Sequence, residues 1–368
     1  MTQPVNYTLP VSNRFEIAQM LSWWGRSRCS RRSFLSGGAA LATLASRAPA
    51  AAHERARYLV LAPSNLGLRP ESNEPEPGTW RAPEVLMAAG LQQRVGAEKV
   101  IQLPRPPYDV RPQPGTRLRN GNMLRQFSLD LAAAVRSILD AGAFPLVIGG
   151  DCSVLLGSLY GARLAATRGL IHVDGHSDFF HPGNYDTQSR LGSAAGMDLA
   201  LATGRGEPLL TQWPDIDGPL VRDEDAIQLG DREALDEGNS VYYRELARTS
   251  ITRYIIQDVL KVGIERSAQS VIERLKAREL IRAWLHVDLD VLDQSVMPAV
   301  DSPGSPGLTF AQLRTLLARL YRSDRVVGAT ITIYDPARDP DNRYAAPIVA
   351  TLGAAFTWSG NDGPTDNT

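Results

Sequence analysis

Short apolar runs, each about one strand long, recur along the chain from residue 57, with amphipathic or polar stretches between them. RYLVLAP (57–63), GAEKVIQLP (96–104), FPLVIGGD (144–151), GLIHVDGH (169–176) and DAIQLGD (225–231) read as strands. IRAWLHVDLD (281–290) and RVVGATITIYDP (325–336) add two more, and ARTSITRYIIQDVLKVG (247–263) is ambiguous between strand and helix. Helical spacing marks 121–142, through Met123, Phe127, Leu131, Ala134 and Leu139, with Gly142 as its stop. Residues 269–280 and 309–323 read as further helices, whereas 64–82 and 202–224 are rich in Pro, Gly and polar residues and read as loops. About eight strands alternating with helices predict a doubly wound α/β domain whose sheet is mainly parallel. Continuous apolar strands fit that sheet, because helices cover both of its faces. Ligands then bind beyond the carboxyl ends of the strands, and Asp151, Asp174 and Asp288 all fall at such ends.

Two of these ends carry unusual chemistry. IHVDGHSDFF (171–180) delivers Asp174, His176 and Asp178 at every second position, and AWLHVDLDVLD (283–293) delivers Asp288, Asp290 and Asp293. While a strand persists, alternate side chains project to one side, so each segment offers several ligands to one place. Carboxylates packed this closely repel one another unless they are protonated or hold cations. The acids of the two segments with His176, and no Lys or Arg among them, call for divalent metal. Two ions roughly 3.5 Å apart, sharing bridging carboxylates, would balance the charge and activate a water between them.

Composition narrows the class. The chain has 368 residues, 43% hydrophobic and 21% charged, with 39 Lys+Arg against 40 Asp+Glu. A formal net charge of −1 gives no electrostatic footprint for nucleic acid or an anionic membrane, and no apolar run spans a bilayer. The N-terminal stretch SRRSFLSGGAALATLASRAPAAAH places Arg31-Arg32 before an apolar segment and small residues ending near Ala52. That order predicts a twin-arginine export signal over 1–52, hence a periplasmic or secreted protein, with a cytoplasmic one as the alternative. Met20 as the start would set the arginine pair at an ordinary depth. Removal of the signal takes Cys29 with it and leaves Cys152 alone, so no internal disulfide is expected. Residues 53–358 form the expected catalytic domain and 359–368 a disordered tail.

GGDCS (149–153), DGHSD (174–178), HVDLDVLD (286–293) and SPGSPGLT (302–309) resemble, in order and spacing, the blocks of the arginase/agmatinase (ureohydrolase) family. The resemblance covers about residues 57–357. It implies a three-layer α/β/α fold with an eight-stranded, mostly parallel sheet. It also implies a dinuclear manganese centre that hydrolyses guanidine-type C–N bonds. By position, Cys152, Asp174, His176, Asp178, Asp288 and Asp290 would be the metal ligands, with Asp174 and Asp288 bridging. Asp178 would complete one ion, and His176 with Asp290 the other. The expected cofactor is two Mn²⁺ ions, with Zn²⁺ or Fe²⁺ as alternatives. The expected partners are a small guanidino- or amidine-type substrate and further copies of the same chain.

Four departures qualify what the resemblance implies. Cys152 stands where the family has a His ligand, and a thiolate is softer than imidazole, which favours Zn²⁺ or Fe²⁺ over Mn²⁺. Ala195 occupies the place of a His that often shuttles protons, leaving His181 as the nearby histidine. Asp178 and His181 are therefore the candidate catalytic residues. The last strand lacks the Glu that holds guanidinium, so either Asp335 or Asp339 replaces it or the substrate is not a strong cation. LDQS replaces Leu-Asp-Pro, and His172 and His286 each sit two residues before an acid, where they could orient a metal-bound carboxylate or lie satisfied in the core. Arg232, in GDRE (230–233), falls in a segment that is usually structural. The expected reaction is hydrolysis of a guanidine- or amidine-like C–N bond by hydroxide bridging the metals. The alternatives are hydrolysis of a formimino or amide C–N bond, and a catalytically inactive metal-binding homologue.

Overall fold

All eight strands expected from the apolar runs pair into one sheet: β1 Arg57–Ala62, β2 Ala97–Gln102, β3 Phe144–Gly149, β4 Gly169–Val173, β5 Ala226–Leu229, β6 Thr252–Tyr254, β7 Ala283–Asp288 and β8 Val326–Thr332. The structure, a computed structural model, describes residues 55–70, 76–111, 114–184, 192–233 and 241–357. The expected export signal and C-terminal tail lie outside the described residues. The strand order is β2-β1-β3-β8-β7-β4-β5-β6, and every neighbouring pair is parallel.

Alternation hidden inside the apolar runs builds the layers. In β1, Leu59 and Leu61 feed one core while Val60 and Ala62 feed another. In β7, Leu285 and Val287 face the first and Trp284 the second. Helices Ala82–Ala88, Ile264–Ala277, Phe310–Arg322 and Ala345–Phe356 cover the first face. Helices Gly121–Asp140, Val154–Leu164 and Asp198–Ala202 cover the second. The result is the three-layer α/β/α arrangement. A capping box, Thr309 with Gln312, starts helix Phe310–Arg322. No helix among the described residues is long and apolar enough to cross a membrane.

Three element readings change. The ambiguous 247–263 stretch divides into β6 and helix Ile256–Val262. The buried stripe of helix Gly121–Asp140 runs through Leu124, Phe127, Leu131, Val135 and Ile138, one step away from Met123 and Ala134. The stretches read as loops contain the one-turn helices Gly78–Arg81 and Pro208–Thr211. β4 also stops at Val173 and β7 at Asp288, so strand alternation does not present the later ligands. They lie on the turns that follow.

Candidate metal centre

Sheet parity sets the first layer of the site. Leu170, His172 and Asp174 form one column on β4 and its end, and Trp284, His286 and Asp288 form another on β7. The two strands are in register, with His172 opposite His286 and Val173 opposite Val287. Each column runs from an apolar residue through a histidine to a carboxylate. The acids therefore stand at the rim of the sheet above a buried floor.

The turns place the remaining ligands. Asp174 Oδ1 accepts from the His176 amide at 2.6 Å, and Asp288 Oδ1 accepts from the Asp290 amide at 2.7 Å, so each acid caps the turn that carries the next ligand. Asp290 crosses to the other turn, accepting from the Gly175 amide at 3.0 Å and lying 2.8 Å from His176 Nδ1. Gln228 on β5 donates to the His176 carbonyl at 2.9 Å and supports the same turn from below. Arg232 donates to the carbonyls of Asp290, Pro306 and Leu292. Its guanidinium lies against Gly175, where a Cβ would come within 2.4 Å of Nη1. At the end of β3, Gly150 passes so near Ser64 that a Cβ would sit 1.6 Å from the Ser64 carbonyl oxygen. That close approach lets Cys152 reach the site, where Sγ lies 2.6 Å from Asp288 Oδ2. Asp178 adopts a left-handed backbone, φ 45°, and is half-buried. Ile333, a β-branched residue at φ 74°, also lines the site, a strained conformation of the kind concentrated at functional sites.

Electrostatics follow from burial. Burial first, then the charge of Asp290, pushes Asp174 up to about 6, against the pull of His176. Burial, then the neighbouring acids, drives Asp178 and Asp288 well above the carboxylate range. Burial would raise Asp290 as well, but His176, Arg232 and the Gly175 amide hold it below that range. Burial and then Asp288 push the Cys152 thiol well up. A cluster in which several acids resist ionisation, and in which buried Asp174 Oδ2 has no hydrogen-bond partner among the described residues, has the character of a cation site. The donor atoms agree. Asp174, His176 and Asp290 each offer a ligand atom within 4.8 Å of the others, as do His172, Asp174 and Asp178. The residues present fit a pair of divalent ions.

The structure brings together Cys152, Asp174, His176, Asp178, Asp288 and Asp290, and five of them, all but Asp174, line one cavity of about 210 Å³. It does not bring in His181, whose Nε2 lies 2.8 Å from Glu245 and whose Nδ1 accepts from the Gly183 amide. Both ring nitrogens are engaged, and His181 does not line the cavity. Asp335 and Asp339 are also committed elsewhere. Asp335 accepts from the Ala337 and Gly78 amides, and Asp339 accepts from the Tyr334 hydroxyl and the Arg343 and Tyr344 amides. Asp293 turns away to cap the Ser295 and Gly307 amides. Ala195 does face the cavity, at the position where the family often has His. Sequence reasoning missed Arg69, Glu233 and Asp301 on the cavity wall, which lie on loops and carry no periodic signal. It also missed Asp198, which reaches His172 from the start of helix Asp198–Ala202 at 3.0 Å.

Similarity to known proteins agrees with this geometry. An arginase of Bacillus caldovelox is 34% identical over 245 residues, covering 66% of this chain and 79% of that protein. The native structure of Bacillus caldovelox arginase superposes with a TM-score of 0.69 at 27% identity, covering 83% of this chain and 99% of that one. Formimidoylglutamase of Bacillus subtilis shares the fold, with a TM-score of 0.61 at 17% identity over 83% of this chain and 88% of that one. The model of the Arginase family matches residues 62–359, and the chain belongs to that family.

Proposed function

We propose that this chain is a metal-dependent hydrolase that cleaves a C–N bond of a small guanidine- or amidine-bearing molecule. The observation that carries the reading is the convergence of His176, Asp178, Asp288, Asp290 and Cys152 at one cavity beyond the ends of β3, β4 and β7, with Asp174 buried beside His176 and Asp290. Asp174 and Asp288, the residues at the two strand ends, are assigned as the shared ligands, with Cys152 and Asp178 on one side and His176 and Asp290 on the other. Two divalent ions held there, Mn²⁺ or, because of the thiolate, Zn²⁺ or Fe²⁺, would supply Lewis-acid activation of water.

The remaining chemistry belongs to the chain's own residues. Asp178, half-buried at the cavity and raised by burial and its acidic neighbours, is suited to hold a proton and pass it to the leaving amine. Arg69 on the wall is placed to pair with an anionic end of the substrate. His181, held by Glu245, has no direct part in this reading.

A second reading, hydrolysis of a formimino or amide C–N bond, draws on two observations. Ala195 offers no proton carrier to the cavity, and Asp335 and Asp339 give their carboxylates to backbone amides. The substrate group need not then be a strongly held guanidinium. Both readings meet one experiment: metal-reconstituted full-length protein is offered guanidino, amidine, formimino and amide compounds, and urea, ammonia and formamide are measured. Urea from a guanidino compound, or ammonia from an amidine other than a formimino one, identifies the first reading; formamide from a formimino compound, or ammonia from an amide, identifies the second. No product from any compound leaves a metal-binding homologue without this activity.

A further inference from the structure

Beneath the acids lies a second cluster that the proposed reaction leaves unused. His172 and His286, register partners on β4 and β7, stack with ring centroids 5.0 Å apart and planes 24° apart. Asp198 closes over them from the first residue of its short helix. Its Oδ1 is 3.0 Å from His172 Nε2 and its Oδ2 is 3.3 Å from His286 Nε2. All three residues are 0% exposed.

The cluster is incompletely paired. Among the described residues, neither ring nitrogen of His286 makes a hydrogen bond, nor does Asp198 Oδ2, so the 3.3 Å approach lacks hydrogen-bond geometry. A buried polar atom left unsatisfied is destabilising, so each of these calls for a partner. An ion pair between His172 and Asp198 would use one carboxylate oxygen and leave His286 unexplained. The spacing points to another occupant. Tetrahedral ligands at about 2.0–2.1 Å from a zinc ion are about 3.3 Å from one another. The two observed separations, 3.0 and 3.3 Å, match that edge. Asp174 Oδ2, 3.7 Å from His172 Nε2 and also unpartnered, supplies a fourth donor on the side of the cavity.

We propose that His172, Asp198 and His286 form a third cation site, distinct from the pair at the cavity and sharing Asp174 with it. Two imidazoles and a carboxylate select a Zn²⁺-type ion. Fully enclosed, this ion is structural. It fixes the two histidine columns and holds Asp174 in the orientation that the cavity requires. The inference does not depend on which bond the protein hydrolyses.

The test uses full-length protein stripped by chelator and equilibrated with Zn²⁺ alone, with bound metal counted by elemental analysis. Wild type is expected to hold three ions per chain, and Asp198→Asn and His286→Leu two each. Replacement with Co²⁺ should give tetrahedral absorption bands that persist in Cys152→Ala, whose lesion is confined to the cavity pair, and that weaken in Asp198→Asn and His286→Leu. If Asp198→Asn fails to fold, His286→Leu decides, because an apolar side chain of similar size suits a dry site. An ion count that is the same in wild type and His286→Leu, or tetrahedral Co²⁺ bands that do not weaken in His286→Leu, overturns the proposal. Loss of the cavity pair with the third ion retained would instead count against the two-metal reading alone.

Discussion

Cys152 Sγ lies 2.6 Å from Asp288 Oδ2, across 136 residues of sequence, which ties the end of β3 directly to the end of β7. The thiol thus stands where an ion shared by Cys152 and Asp288 would have to be held. Burial and then Asp288 push it toward its protonated form, so only a cation would make it a thiolate. Metal-loaded protein should resist alkylation at Cys152, and chelated protein should react faster at high pH. Cys152→His should shift the preference from Zn²⁺ toward Mn²⁺, and Cys152→Ala should weaken one ion and spare the one held by His176 and Asp290. Thiol labelling before and after chelation, with metal counts for both variants, checks this. Unchanged labelling and unchanged affinity would make Cys152 a core residue.

The acid cluster predicts an inverted pH dependence. Asp174 is raised to about 6 in the folded protein, and Asp178 and Asp288 are raised well above the usual range. A carboxyl with a raised folded pKa binds more protons folded than unfolded, so stability falls as pH rises from the unfolded value, about 4, through the folded one. His172 and His176, also raised, act in the same sense, since their stabilisation is lost as pH rises through their folded values. Asp290, held low by His176 and Arg232, opposes the trend, and so does His286, which burial and then His172 hold well below the usual imidazole range. Metal-free protein should therefore lose on the order of 2 kcal/mol from Asp174 alone between about pH 4 and pH 6. Saturating metal should abolish the loss. Denaturant midpoints across that range, with and without metal, measure it.

Arg232 anchors the two ligand turns to each other. It donates to the Asp290 and Pro306 carbonyls while its guanidinium faces Gly175. Arg232→Met keeps most of the volume and removes the donors, at an expected cost of roughly 2–4 kcal/mol. It should also weaken the ion held by His176 and Asp290 more than the ion held by Cys152 and Asp178. Arg232→Lys should not restore either property, because an ammonium lacks the planar fork. Chemical denaturation together with competitive metal titration separates the two effects.

Export provides an independent prediction. Arg31-Arg32→Lys-Lys should keep the folded, metal-bearing protein in the cytoplasm while leaving its metal content intact. Fractionation of cells expressing wild type and variant checks this, and normal periplasmic recovery of the variant would remove the export reading.

The sheet and its acids were readable because both rest on local pattern. Apolar runs of strand length marked seven strands, with β6 inside the ambiguous 247–263 stretch, and Asp174 and Asp288 stood at the points where two of those runs give way to polar residues. The later candidate ligands His176, Asp178 and Asp290 do reach one cavity, but not by the strand alternation expected of them. β4 and β7 end before His176 and Asp290, and side-chain capping by Asp174 and Asp288 shapes the turns instead. Asp335 looked available in sequence, yet a strand-end Asp is equally suited to cap Ala337, and that local bond prevails. Asp198 carried no signal at all. Its meeting with His172 and His286 depends on a short helix folding back over the sheet, a contact that no spacing along the chain encodes.

The most direct test of the two-metal centre is anomalous diffraction from crystals of Mn²⁺-loaded full-length protein, collected beside crystals of Asp288→Ala. Two anomalous peaks are expected in the cavity, with Asp174 and Asp288 contacting both, Cys152 and Asp178 flanking one, and His176 and Asp290 flanking the other. Asp288→Ala should lose both. A cavity without manganese in wild type, or two peaks surviving in Asp288→Ala, would contradict the account.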